Sequence, residues 1–525
     1  MTVAVNPFAE ATAWSLLEWA AATHGAREAI IFGDERVTFR ALRDRAQALA
    51  AGLAALGLKP GDKLAIWLPN RPAWFVAQYA CARLGVVVVA LNPRYRAHEL
   101  TYILGQSDAT ALLATDYLGP VDYFETLHDA LPGLATAVPG ELDDPRFSLL
   151  RHVIVDAEDP YPGCHRLADL ADLAPGGLAD FFPAPPAPDD IWSLLYTSGT
   201  TSFPKGAMIS HRNCVPHGWT CGEVLRISRD DRVLHALPAA GTWGGLNIPL
   251  TAWSHGATLG LMDVWDPLRA LQLIERERCT VWNAVDMMAQ SMLEHPDLDR
   301  YDRSSLRTGG FAATGGGGHG LFEAFVDRIG VRSAFEPYGM TEVNAMAMYH
   351  DLDEPRAMRA RPGTTPAPGL EVRVVHPDTG AACADGEEGE LQFRGPLVTR
   401  GYYNKPDETA RAFTPDGWFR SGDLGVRGAD GHTIFRGRLR EVLRISHHMV
   451  APGEIEAFLM THDAVAQAFV VGVPDAKTNE AAVAYVIARE GATLTEDELR
   501  AFCRGKIASY KIPRAVKFVK DVPRT

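Results

Sequence analysis

Tyr196-Thr197-Ser198-Gly199-Thr200-Thr201-Ser202-Phe203-Pro204-Lys205-Gly206 decides how this chain of 525 residues is read. Ahead of it, Ile191-Trp192-Ser193-Leu194-Leu195 is a short apolar run that predicts a buried strand. Six of the seven residues after Tyr196 are Thr, Ser or Gly, and Lys205 closes the run. Glycine lets the backbone turn sharply and come close to a ligand. Successive N–H groups in such a loop form a nest for an anion. Ser and Thr hydroxyls add donors, and a lysine adds a point charge suited to phosphate. The Walker pattern, with its second glycine followed directly by Lys and Ser or Thr, is not matched. The stretch is read as a phosphate-binding loop of another kind.

The composition bounds the rest. Hydrophobic residues make up 47% and the formal net charge is -14. The first number is ordinary for a globular chain with a large core. The second argues against nucleic acid or an anionic membrane as the main partner. Seven cysteines are scattered without a CxxC pair, so neither a disulfide framework nor a zinc site is expected. Residues 1–10 lack a basic stretch followed by an apolar one, and no apolar run reaches the roughly 18–20 residues that span a bilayer. The expectation is a soluble cytoplasmic protein.

Outward from the loop, the chain alternates strands and helices. Residues 13–58 predict helices around a short hairpin. Lys63-Leu64-Ala65-Ile66-Trp67-Leu68 predicts a strand, 72–84 a helix, and Val86-Val87-Val88-Val89-Ala90-Leu91 a strand with no polar face. A strand apolar on both sides belongs in a parallel sheet covered by helices. Strand, helix, strand makes a βαβ unit, and a second one follows over 98–115. Residues 116–190, rich in proline from Pro160 to Pro188, predict loops and a rigid linker.

Further stretches extend the reading over the chain. Ser210-His211-Arg212-Asn213, Tyr338-Gly339-Met340-Thr341-Glu342, Gly389-Glu390-Leu391-Gln392-Phe393-Arg394-Gly395 and Gly401-Tyr402-Tyr403-Asn404 are four of them. Gly417-Trp418-Phe419-Arg420-Ser421-Gly422-Asp423, Gly437-Arg438-Leu439-Arg440-Glu441 and Val450-Ala451-Pro452-Gly453-Glu454-Ile455-Glu456 complete the set. With the loop at 197–206, these resemble the signatures of the adenylate-forming superfamily of acyl-CoA synthetases, luciferases and adenylation domains. The pattern is that of fatty or aryl acyl-CoA ligases, and it covers nearly the whole chain. Ser202 stands where the family loop has glycine.

The resemblance implies an α/β fold. A large N-terminal domain (1–437) of mostly parallel sheets with a β-rich subdomain would bind ATP and the acid. A small mobile α+β domain (438–525) would rotate about a hinge at Arg440 and Glu441. It implies that Thr197, Ser198, Gly199, Thr200, Thr201, Ser202 and Lys205 hold phosphate. Tyr338, beside Gly339, would stack on adenine. Thr341 would donate to the α-phosphate, Glu342 would hold Mg²⁺, Asp423 the ribose, and Arg438 ribose or phosphate.

Four departures bear on substrate and acceptor. The family carries an aromatic-histidine pair where this chain has Ala240 and Gly241, so a histidine is missing and Trp243 is either pocket wall or core. Asp286 replaces a proline after Trp282 and Asn283; it is either a helix N-cap or a partner for a substrate cation, with Trp282 and Asn283 lining the acid. Gly315 to Gly318 are either adenine-facing backbone or a flexible loop. Ser446-His447-His448 stands where the family has glycines beside the thiol arm of CoA, and is either a surface pair or an acid/base group for another acceptor.

The chain stops at Pro523-Arg524-Thr525, before the family's terminal lysine. The expectation is an incomplete C-terminal domain and poor adenylation. The function expected from all this is ATP-dependent activation of a carboxylic acid, with CoA as acceptor. Two alternatives stand beside it. One is an adenylating enzyme that does not use CoA, such as a natural-product diazotase that activates nitrite for an arylamine. The other is a nucleotide-binding relative without turnover.

Overall fold

Ile191–Thr197 is a strand, buried through its middle, that runs parallel to Val87–Ala90; Val87–Ala90 in turn runs parallel to Lys63–Trp67, and that strand to Ala111–Thr115. The structure, a computed structural model, describes residues 5–119, 121–174, 184–197, 203–312, 320–439, 443–446, 448–450 and 452–520. All four residues of Val87–Ala90 are buried, which is why that segment has no polar face. The crossover helices are Pro72–Leu84 and Ala97–Gln106. The first opens with proline, whose missing N–H is not needed there, and ends at Gly85 with φ of 77°, a left-handed cap that favours glycine. Lys205–Ser210 then adds an antiparallel edge to Ile191–Thr197.

A second, eight-stranded sheet is built mainly of parallel strands, among them Arg232–His235, Thr258–Leu261, Val281–Trp282 and Thr308–Ala312. The expected hairpin near the start joins its edge as Glu28–Phe32 and Glu35–Thr38, between the helices Ala13–His24 and Phe39–Ala55. Trp74, Phe75, Trp192, Trp253 and Trp282, none more than 1% exposed, belong to the main core. A six-stranded antiparallel sheet forms the β-rich subdomain; Phe419–Arg427 and Thr433–Arg438 lie inside it. Over 116–190, where the sequence predicts loops and a linker, the chain also forms the helix Tyr123–Ala130 and the parallel strands His152–Asp156 and Cys164–Arg166. No described helix is long and apolar enough to cross a membrane.

The C-terminal unit starts its own sheet at Leu443–Ile445. The sequence predicts that this domain stops before the family's terminal lysine; the C-terminal domain itself is present. Five strands, closed by Ala515–Phe518 running parallel to Asn479–Ala488, cover a core that contains Val450, Ile455, Leu459 and Leu499. The helices Pro452–Leu459 and Glu496–Cys503 supply part of that core.

Three buried histidines make the fold acid-sensitive. His211 opens the helix His211–Val224, accepts the Ala13 N–H on Nδ1 at 3.2 Å and stacks on Trp192. Burial pushes its imidazole down to about 3, and those of His217 and His235 down to about 4. In the unfolded chain each binds a proton near pH 6.5. The unfolded state therefore binds more protons, and stability falls as pH drops from about 6.5 toward 4. At pH 5 each histidine costs about 2 kcal/mol relative to pH 7.5. The expected result is a large drop in melting temperature between pH 7.5 and 5; an unchanged melt would refute it.

Candidate active site

Thr197 and Lys205 face each other at the neck of a hairpin, because the strands Ile191–Thr197 and Lys205–Ser210 pair in that register. The intervening residues 198–202, with the expected ligands Ser198, Gly199, Thr200, Thr201 and Ser202, lie outside the described residues. Lys205 is 8% exposed. Its Nζ sits 3.3 Å from Glu408 Oε2 and 4.4 Å above the ring of Tyr402. Burial would raise the Glu408 carboxyl, but Arg411 and Lys205 outweigh it and hold the group below its ordinary value.

The second signature arrives beside this neck. Glu342 lies on a single helical turn, Thr341–Val343. Its Oε1 accepts from Thr197 Oγ1 at 3.3 Å and from the Tyr402 hydroxyl at 2.9 Å. Gly339 packs against the turn that follows: a Cβ there would fall 1.8 Å from the Ala345 carbonyl oxygen, so only glycine fits. Tyr338 stacks on Phe393 and donates its hydroxyl to Asp423 Oδ2 at 2.7 Å. Asp423 and Arg438 are direct cross-strand partners, and Arg438 Nε lies 2.9 Å from Asp423 Oδ1. Burial pushes the Asp423 carboxyl up, against the pull of Arg438 and the Tyr338 hydroxyl. Burial also pushes the Tyr338 phenol far up, so it remains a donor.

Thr197, Lys205, Thr341, Glu342 and Arg438 line one cavity of about 1050 Å³. Next to it lies a smaller, mostly apolar pocket of about 360 Å³. Gly241 and Trp243 line that pocket, so Trp243 is pocket wall; Leu237, Val285 and Met288 join it. Three expectations for the pocket are corrected. Trp282 is buried in an aromatic stack with Trp265, ring centroids 5.5 Å apart, on the core side of its strand. Asn283 accepts the Gly310 N–H on Oδ1 at 2.8 Å, bracing the neighbouring strand. Asp286 opens the helix Asp286–Leu293 and accepts the Met287 N–H at 2.9 Å. None of the three lines either cavity. Residues 313–319, with the glycine run, lie outside the described residues.

The far wall comes from the C-terminal unit. His448, Glu454, Tyr510 and Lys511 line the larger cavity. Lys511 Nζ bonds to Glu454 Oε1 and lies 3.4 Å from Glu99 Oε1, a carboxylate on the N-terminal helix Ala97–Gln106. Glu99 also accepts the Ala508 N–H at 2.9 Å. All three side chains are more than nine-tenths buried. Sequence reasoning gave Tyr402, Glu408, Glu99 and Lys511 no role. Tyr402 sits inside the matched motif Gly401-Tyr402-Tyr403-Asn404, and that motif was the available signal.

The model for AMP-binding enzyme matches residues 17–403, and that for the AMP-binding enzyme C-terminal domain matches 454–525. The chain is an AMP-binding enzyme. A CoA ligase of Rhodococcus jostii, named for a propanoyl group bearing a methyl-dioxo-octahydro-indenyl ring, is 34% identical over 97% of this chain and 95% of its own. The o-succinylbenzoate CoA synthetase MenE of Bacillus subtilis, a double mutant bound with the product analogue OSB-NCoA, superposes with a TM-score of 0.78. It is 26% identical, covering 98% of this chain and 96% of that one. The amide bond synthetase McbA of Marinactinospora thermotolerans gives 0.79 at 26% identity, covering 97% and 96%. This AMP-binding enzyme is therefore an ATP-dependent, AMP-forming ligase of the adenylate-forming superfamily.

The residues present fit a nucleotide with a metal ion. Lys205, the hydroxyls of Thr197 and Thr341, and the Glu342 carboxylate converge on one cavity, beside a buried Asp–Arg pair. No described group of three or more metal-ligating side chains forms a cage of its own. Magnesium does not need one, since it commonly binds one or two carboxylates plus substrate phosphates.

Proposed function

We propose that this AMP-binding enzyme activates an apolar carboxylic acid as its acyl adenylate and passes the acyl group to CoA. One observation carries the reading. The polar cavity and the apolar pocket share a wall of seven residues: Asn92, Tyr95, Tyr196, Gly339, Met340, Thr341 and His448. An acid seated in the pocket along Trp243 and Gly241 puts its carboxylate at that wall, in reach of an α-phosphate held in the cavity.

In this reading, Lys205, Thr197 and residues 198–202 hold phosphate oxygens, and Lys205 exchanges Glu408 for phosphate. Asp423 accepts from the ribose hydroxyls, with Arg438 beside it. Tyr338 packs along the adenine, and Thr341 donates to the α-phosphate. Glu342 is the carboxylate for Mg²⁺, which when bound neutralises phosphate charge. The carboxylate oxygen attacks the α-phosphorus, and pyrophosphate leaves. Positioning and charge neutralisation account for the rate, since no covalent enzyme intermediate is needed. Arg440 and Glu441, outside the described residues, lie between the last strand of the β-rich sheet and the first of the C-terminal sheet; we place the domain boundary and hinge there.

CoA is favoured as acceptor by the Rhodococcus ligase and by the CoA-analogue complex of MenE. An amine is the second reading, supported by the likeness to McbA and by the missing histidine at Gly241. The deciding assay measures AMP release with aliphatic and aryl acids, each with CoA, with aryl or alkyl amines, and with nitrite in place of the acid. The thioester reading expects turnover that needs an acid and rises with CoA. Turnover indifferent to CoA, and driven by an amine, would reject it.

A further inference from the structure

We infer that His448, on the C-terminal domain, is the base that takes the proton from the incoming acceptor in the transfer step. The inference rests on the two-step reading above.

His448 lies on the strand His448–Val450 and lines both cavities. It therefore stands where a carbonyl joined to AMP would lie between them. Among the seven shared wall residues, it alone carries an imidazole, the side chain suited to general acid and base work. Burial pushes the phenols of Tyr95 and Tyr196 far up, and the other four do not titrate near neutral pH. No other described residue lining either cavity is a histidine. Gly241, where the family pattern carries one, has no side chain to offer and lines the same pocket. The imidazole thus reaches this pocket from the C-terminal domain.

The ring is held in place. It stacks on Tyr510 with centroids 3.6 Å apart and planes within 11°, and its Nε2 lies 3.5 Å from Arg94 Nη1. Among the described residues, charged groups near it include Arg94 on the N-terminal side and, beyond Tyr510, Lys511 with Glu454 and Glu99. Because His448 belongs to the C-terminal domain, docking of that domain in the arrangement seen here delivers the base and the second step together.

The acceptor, a thiol or a primary amine, attacks the acyl carbon; the C–S or C–N bond forms. The bond from the acyl carbon to the phosphate oxygen breaks, and its electron pair leaves on AMP. His448 accepts the S–H or N–H proton and releases it to solvent.

The test separates the two steps. Acyl adenylate is formed on the full-length protein with pyrophosphatase present and no acceptor, using the best acid of the panel. Coenzyme A or benzylamine is then added and transfer is followed by rapid quench across pH. A positioned base contributes about 10²–10⁴-fold. The expected result is a loss of transfer of at least about 10²-fold in His448→Gln, with the acidic limb of the pH profile gone. Added imidazole should restore transfer in His448→Gly. Transfer in His448→Gln within about twofold of the native protein, with the same pH profile, would overturn the inference. So would a loss with the pH limb intact and no imidazole rescue, since that marks a packing role. If the native protein forms no acyl adenylate with any acid, the ligase reading fails first and takes the inference with it.

Discussion

Asp423→Ala should lower kcat/KM for ATP by about 10²–10³-fold while leaving the protein folded. The carboxylate is 2% exposed and sits between the Tyr338 hydroxyl at 2.7 Å and Arg438 at 2.9 Å. In the proposed complex it accepts from two ribose hydroxyls. A hydrogen bond to a charged group contributes about 1.5–3 kcal/mol, so two at the lower end of that range, about 3–4 kcal/mol together, give the stated loss. Asp423→Asn keeps an acceptor for Tyr338 but removes the charge beside Arg438, and should recover part of the activity. Steady-state kinetics in ATP, with circular dichroism as a folding control, would check this. Unchanged ATP kinetics in Asp423→Ala would remove the ribose role.

Lys511→Met should cost about 3–5 kcal/mol of domain docking and C-terminal stability. It leaves two carboxylates, Glu454 and Glu99, buried together without their cation. Burial alone would lower the Lys511 pKa, but Glu454 and Glu99 outweigh it and raise the value. A raised cation contributes stability below its unfolded pKa of about 10.4 and loses it as pH rises above that. The contribution is therefore complete at neutral pH. Lys511→Met should unfold the C-terminal unit at lower urea and expose it to limited proteolysis at pH 7. The double variant Lys511→Met with Glu454→Gln should recover part of the loss, because one uncompensated charge is gone. A single variant as stable as the native protein would show that the ion triad does not hold the domains together.

The sequence made the phosphate neck legible because its parts are contiguous: Thr197 and Lys205 sit in one motif, and hairpin pairing brings them together. Asp423 and Arg438 were each legible from separate motifs, but their pairing depends on a strand register that no local pattern encodes. The βαβ units were readable because Val87–Ala90 has no polar face. The acid pocket was only partly readable. Trp243 and Trp282 look alike in sequence; one faces the pocket and the other the core, and composition does not say which side of a strand a tryptophan takes. Asn283 read as a substrate contact because nothing local showed that it would brace Gly310. The triad of Glu99, Glu454 and Lys511 was invisible, since Glu99 and Lys511 are 412 positions apart.

The most direct test of the account is product analysis with α-labelled and, separately, γ-labelled ATP on the full chain in the presence of coenzyme A, with and without a panel of apolar carboxylic acids. The account predicts AMP and pyrophosphate in equal amounts, only when an acid is present, and abolished by Lys205→Ala. Release of ADP and phosphate, or AMP formation indifferent to any acid, would contradict it.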